Sequence, residues 1–362
     1  MGTLGRITLS LPPAAGNARN SEGAFYTLDN GAILFAYSKF IGDEWADDGK
    51  SAIAARVSED EGETWSDDRV LFYTEDHNAK NIMSVSFLPM ANGDIGIFYL
   101  VRMGWHDTRL HFRRSSDNGV SWGAARPCIP APGFFVTNND RVIRLKSGRI
   151  IVPANLHRMK GFDTLEWSSC DLRGIPCVFY SDDDGDAWAE AASFCLPFLP
   201  ESNAYMQETG VIEKLNGVLY AWMRTDVGRQ YESYSIDEGL TWTMPAPSRF
   251  TSPNSPLSMK RAPDGGKLLA VWNPVPNYNG RKLSASGWGR TPLVCAVSPD
   301  DGKTWGEYKV IEDDPDAGFC YTAIHFIKGN DVLLAYCSGG PETRACLSKL
   351  TIRKINADEI FD

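Results

Sequence analysis

Five stretches of this chain fit one eight-residue pattern, S-x-D-x-G-x-[STA]-W. They are SEDEGETW at 58–65, SSDNGVSW at 115–122, SDDDGDAW at 181–188, SIDEGLTW at 235–242 and SPDDGKTW at 298–305. Recurrence at this frequency is not chance, and a period of this size sets the fold before any other feature does. Each stretch has the chemistry of a tight hairpin turn. The Asp accepts backbone N–H bonds, the Gly supplies a positive φ, and the Trp packs its ring beside the turn.

Between these turns lies a second repeat, a strand, a Gly or Asn turn and another strand. It occurs six times: GAFYTLDNGAILFAY, SVSFLPMANGDIGIFY, RVIRLKSGRIIVP, GVIEKLNGVLYAW, LSMKRAPDGGKLLAVW and TAIHFIKGNDVLLAY. Each is rich in β-branched and aromatic residues and bounded by turn formers. Six hairpins alternating with five turns give about four strands per unit of about 60 residues, the arithmetic of an all-β, six-bladed β-propeller. The expectation is one radial domain over residues 1–362, with helical periodicity confined to the last residues.

Inner strands of a propeller converge on its axis, so equivalent positions can face one another across a common mouth. Counting nine residues back from each turn Gly or Asn gives Glu22, Ser84, Asn139, Glu208, Pro256 and Tyr321. A slip of one residue in any blade would reverse the facing.

Composition narrows the partners. The net charge of −10 argues against nucleic acid or an anionic membrane surface. No run is long enough to span a bilayer, and the N-terminus lacks the apolar core of a signal peptide, so a cytoplasmic location is expected. The eight cysteines are scattered without a CxxC pair and read as reduced, buried thiols. The five histidines show no HxH or HExxH spacing, so no metal site and no cofactor are expected. The acidic runs at 182–184 and 312–316 read as a turn and a solvated loop. Trp45, Trp105 and Trp288 lie outside the turns, where they either line a pocket or pack structurally.

The turns (Asp boxes), the blade count and the axial residues together resemble the sialidase (neuraminidase) superfamily over nearly the whole chain. That resemblance implies a glycoside hydrolase and gives roles to particular positions. QETGVIEKLNGVLYAWMR is similar to the glutamate-bearing strand and second arginine, which maps to Glu208 and Arg224. GRTPLVCAVSPDDGKTW resembles the segment carrying a further arginine, here Arg290. CYTAIHF resembles the strand of the nucleophilic tyrosine, here Tyr321. The acidic loop in DEWADDGKSAIAARVSEDEGETW matches the general-acid region, where Asp47 is the first choice and Asp48 the second.

One motif departs from the pattern. The superfamily's Arg-Ile-Pro would fall on Ser21-Glu22-Gly23. Arg19 is the candidate substitute for that arginine, and Glu22 would repel a carboxylate or bind a sugar hydroxyl.

The implied chemistry is coherent. A 2-keto-3-deoxy acid sugar carries a carboxylate on its anomeric carbon, which a neutral phenol approaches more easily than a carboxylate nucleophile does. Sialidases with a Tyr nucleophile are an exception to the two-carboxylate rule of glycoside hydrolysis. A phenol of ordinary pKa near 10 needs a base in contact, the expected role of Glu208. Asp47 would protonate the leaving oxygen, which calls for a raised pKa. Arg224 and Arg290 would clamp the substrate's carboxylate. The expectation is a retaining exo-glycosidase for sialic acid or a related acid sugar. Two rivals stand beside it: a propeller glycosidase for neutral or uronic sugars using Glu22 and Asp47, and a non-catalytic carbohydrate-binding propeller.

Overall fold

The structure, a computed structural model, describes residues 3–160, 167–192, 196–277 and 281–362. Its strands form six antiparallel blades. Blade 1 runs outward from Asn20–Thr27 through Ile33–Phe40 and Ser51–Ser58 to Arg69–Tyr73. Blades 4 and 5 repeat this order, from Gln207–Glu213 to Ala246–Thr251 and from Ser258–Arg261 to Lys309–Glu312. Blades 2 and 3 are joined into one nine-stranded sheet by the short strand Phe134–Val136, which pairs with both.

Blade 6 explains why there are five box turns and not six. Its three chain-consecutive strands are Cys320–Phe326, Val332–Cys337 and Leu350–Ile355, and its fourth is Arg6–Leu11 from the other end of the chain. In blades 1 to 5 the box joins the third strand to the fourth. In blade 6 no such hairpin exists, so there is nowhere to put a sixth.

The box turns follow one hydrogen-bond scheme. In the first, Ser58 Oγ donates to Asp60 Oδ1 (2.8 Å), and Asp60 accepts the Thr64 amide (2.9 Å) and hydroxyl (2.6 Å). Gly62, at φ 84°, donates its amide to Ser58 Oγ. These bonds hold the exposed Asp60 carboxyl at about 2, with the Thr64 hydroxyl and amide as the main causes.

Packing is between blades. Strand residues alternate in direction, so successive side chains of one strand enter different interfaces. In blade 6, Leu333 and Ala335 pack against Phe25, Phe35 and Tyr37 of blade 1. Their neighbours Leu334 and Tyr336 pack against Leu269 and Val271 of blade 5. Comparable clusters fill the other four interfaces, so the ring closes through buried apolar contact. Each box tryptophan sits at the interface with the preceding blade; Trp122 of blade 2, for example, packs on the blade 1–2 cluster.

Ala357–Phe361 is the one α-helix among the described residues, and none of their helices is long and apolar enough to cross a membrane. The seven described cysteines are all free, six of them buried, while Cys195 lies outside the described residues. Acidic residues 182 and 184 pair with Arg149 and with Arg114 and Arg144, and Glu312 pairs with Arg353.

Candidate active site

The inner strands carry an irregularity where the site is built. Register shifts fall between Ser21 and Ala24, Met83 and Ser86, Gln207 and Gly210, and Cys320 and Ala323. Inside each shift one residue adopts a left-handed backbone: Glu22 (φ 51°), Ser84 (62°), Glu208 (49°) and Tyr321 (57°). For non-glycine residues this conformation is uncommon and has to be held by surrounding structure. A bulge of this kind re-aims a side chain.

Buried amides and hydroxyls do the holding. Asn155 accepts the Thr209 amide (2.8 Å) and donates to the Met206 carbonyl (2.9 Å), spanning the Glu208 bulge. Asn139 donates to the Tyr321 and Gly23 carbonyls, and the Ser84 amide donates to Ser38. Asn139 is thus a brace and not an axial counterpart of Tyr321. In blade 3 the left-handed residue is Asp140 (φ 55°), one position on, because its inner strand is broken. Gly210 completes the Glu208 bulge, since a Cβ there would lie 2.2 Å from the Trp222 ring.

Tyr321 and Glu208 meet. The Tyr321 hydroxyl donates to Glu208 Oε1 at 2.8 Å, and Arg224 Nη1 reaches the same oxygen at 2.6 Å and the Tyr321 oxygen at 3.3 Å. All three side chains are about nine-tenths buried. Burial, then the negative charge of Glu208, pushes the Tyr321 phenol well above its ordinary range, so the hydroxyl is protonated at neutral pH. Arg224 is aimed by Asn254, which accepts its Nε at 2.6 Å.

These groups line a cavity of about 420 Å³ together with Arg290, Arg19 and Asp47. Arg290, 4% exposed, has no carboxylate partner among the described residues; its Nη1 donates to Cys320 Sγ at 3.1 Å, and its guanidinium lies over the Trp288 and Tyr321 rings. The lining also includes Phe134, His157, Trp167 and Trp45. Trp45 and Trp288 line the cavity, whereas Trp105 packs on Phe134 and Trp167.

Arg19 does not stand free. Its Nη2 donates to Glu22 Oε2 (2.9 Å), Nη1 to Asp47 Oδ1 (2.7 Å) and the Trp45 carbonyl (3.2 Å), and Nε to Ser21 (2.9 Å). Four of its N–H groups are therefore occupied, which leaves no two-pronged edge for a substrate carboxylate. Glu22, 5% exposed, stays off the cavity wall. Burial is the largest influence on its carboxyl, which rises to about 7 despite Arg19.

Asp47, and not Asp48, reaches the cavity, with its side chain about half exposed. The expected raised pKa is not found. Burial raises the carboxyl, but Arg19 and Arg102 outweigh it and hold it below the usual range. Arg102 comes from the second strand of blade 2 and donates its Nε to the Asp47 carbonyl at 3.0 Å. Neither Arg102 nor Asn254 nor Cys320 was singled out by the sequence, because each acts through a neighbour from a distant segment.

The chain matches the family model described as BNR repeat-like domain over residues 45–332. It belongs to the sialidase/BNR-repeat superfamily. Within this superfamily it is 24% identical over 245 residues to the anhydrosialidase of Macrobdella decora, covering 63% of the present chain and 29% of that relative. The chain thus spans about three-tenths of the length of that curated relative. Among solved structures it is similar to the Hadza microbial sialidase Hz136 (TM-score 0.70, 17% identity, 94% of this chain and 66% of the other). It is equally similar to the intramolecular trans-sialidase of Ruminococcus gnavus in complex with oseltamivir carboxylate (TM-score 0.71, 14% identity, 98% of each chain). At such identities the likeness is one of fold.

Proposed function

We propose that this BNR-repeat protein, as a single domain over residues 1–362, is a retaining exo-glycosidase that releases a terminal α-linked sialic acid or related 2-keto-3-deoxy acid sugar. The observation that carries this reading is the 2.8 Å hydrogen bond from Tyr321 to Glu208 on the cavity wall, with Arg224 against both. In this mechanism the phenol attacks the anomeric carbon as its proton passes to Glu208, and the 3.3 Å contact from Arg224 stabilises the developing phenolate. Breakdown of the glycosyl-tyrosine by water is a second displacement, so configuration is retained. Arg290, unpaired by any carboxylate of the described residues, and the Nη2 end of Arg224 receive the substrate's acid group.

Asp47, which lines the same cavity, is the acid for the leaving oxygen in this reading. With its pKa held below the usual range it is ionised at neutral pH. An anionic substrate beside it disfavours that charge and raises its pKa, which supplies the proton on binding.

A second reading has one specific observation in its favour. Arg19 is occupied by Glu22 and Asp47, so it offers no third fork to a substrate carboxylate. That arrangement suits a neutral or uronic sugar. Hydrolysis of fluorogenic glycosides of sialic acid, its deaminated analogue, Kdo and arabinose separates the two. The first reading expects turnover of the keto-acid sugars, and turnover of arabinose alone overturns it.

A further inference from the structure

Three cysteines gather behind the tyrosine. Cys320 directly precedes Tyr321, Cys337 is its cross-strand partner, and Cys346 packs in the same cluster with Leu347 and Trp288. All three are buried, at 0–1% exposed, and among the described residues no such group is arranged to hold a metal ion. Buried thiols more often serve packing alone. Here, beyond the contacts among the thiols themselves, the cluster receives a polar contact that packing does not explain, the 3.1 Å bond from Arg290 Nη1 to Cys320 Sγ.

The other two cavity arginines from the sequence pattern are braced by carboxylates, Arg224 by Glu208 and Arg19 by Glu22 and Asp47. Each of those carboxylates takes one N–H of its arginine and sets a negative charge against it. Sulfur is a single acceptor atom. It fixes Nη1 and leaves the Nη2 edge of Arg290 without a protein partner among the described residues.

We propose that Cys320 is a positioning residue for the acid-binding arginine: its sulfur, set between Cys337 and Cys346, orients Arg290 while leaving the guanidinium's outer edge for the substrate carboxylate. This inference rests on the acid-sugar reading above. The electrostatics agree with the geometry. Burial opposes ionisation of Cys320, but hydrogen bonds from Cys337 and Cys346 and the charge of Arg290 bring its thiol well below the usual range, while the other two thiols are raised. The acceptor is thus assigned to one sulfur of the three. Position also favours it, because Cys320 and Tyr321 are consecutive, so the strand that aims the nucleophile also sets the arginine.

The test compares wild type, Cys320→Ala and Cys320→Ser on a sialic acid glycoside and on its methyl ester, which lacks the negative charge. Folding is checked by thermal melting. A lost acceptor of this kind is worth about one decade in binding. For Cys320→Ala the expected result is a KM for the acid raised about tenfold with kcat little changed, and a preference for acid over ester lowered by the same factor. Cys320→Ser keeps an acceptor atom and should recover most of that preference. A folded Cys320→Ala with unchanged preference, or with equal losses on acid and ester, overturns the positioning role alone. A wild-type protein with no preference for the acid overturns the acid-sugar reading and this inference together.

Discussion

Glu22, in the first inner strand where the superfamily's Arg-Ile-Pro would fall, forms a buried ion pair with Arg19 just ahead of that strand, Oε2 to Nη2 at 2.9 Å. Arg19 also holds Asp47, so one cation is shared by two carboxylates. Glu22 faces Arg19, Asp47 and Ser21, with Glu208 farther off, and its pKa rises from 4.5 to about 7. The folded protein therefore keeps a proton that the unfolded chain has released. The stability it contributes is fully present below pH 4.5 and is lost as pH rises through 7. Glu22→Gln cannot ionise, so its melting temperature should fall less than that of wild type between pH 4.5 and 8. Parallel curves would show that Glu22 does not titrate there.

Arg290 and Arg224 should separate in kinetics. Arg290→Lys loses fork geometry but touches neither Tyr321 OH nor Glu208, so KM for an acidic glycoside should rise about 10- to 100-fold with kcat nearly intact. Arg224→Lys also disturbs Glu208 and the phenol oxygen, so kcat should fall as well. Equal, small effects at both would favour a neutral sugar. Arg19→Ala should act mainly on stability, costing about 3–5 kcal/mol, because it leaves a buried carboxylate unpaired. Urea melts at pH 8 measure this.

The Glu208 bulge depends on Asn155. Asn155→Ala leaves the Thr209 amide and Met206 carbonyl without their partner, at a cost of about 1–3 kcal/mol. Activity should fall further than the fraction unfolded explains, since Glu208 loses its fixed direction. Denaturant melts and kcat on one preparation check both parts.

Closure of the ring by Arg6–Leu11 makes that strand disproportionately important. Deleting residues 1–11 exposes the edge of Leu350–Ile355. Unpaired edges recruit other chains. The truncated protein should melt at lower temperature and self-associate in size-exclusion chromatography.

Much of this was legible in the sequence, for a physical reason. The turn-to-axis spacing is nearly constant, so one register placed Glu22, Ser84, Glu208 and Tyr321 on equivalent positions. It failed in blade 3, where the broken inner strand moves the left-handed residue from Asn139 to Asp140, and in blade 5, where Pro256 precedes the strand Ser258–Arg261 and is not left-handed. Spacing along the chain also could not show the charge state of Asp47. That depends on Arg19 and Arg102, which arrive from different blades. The same limit hid the saturation of Arg19 and the sulfur beside Arg290. The pattern located side chains, whereas their protonation and free edges were set by neighbours across the ring.

The most direct test of the account is the kcat of folded Tyr321→Phe on whichever acidic glycoside the wild type hydrolyses. The substitution removes one oxygen from a ring that is 9% exposed, so the melting temperature should change little. If Tyr321 is the nucleophile that Glu208 deprotonates, kcat should fall by about three orders of magnitude or more. Turnover within a few-fold of wild type by the folded variant would contradict it.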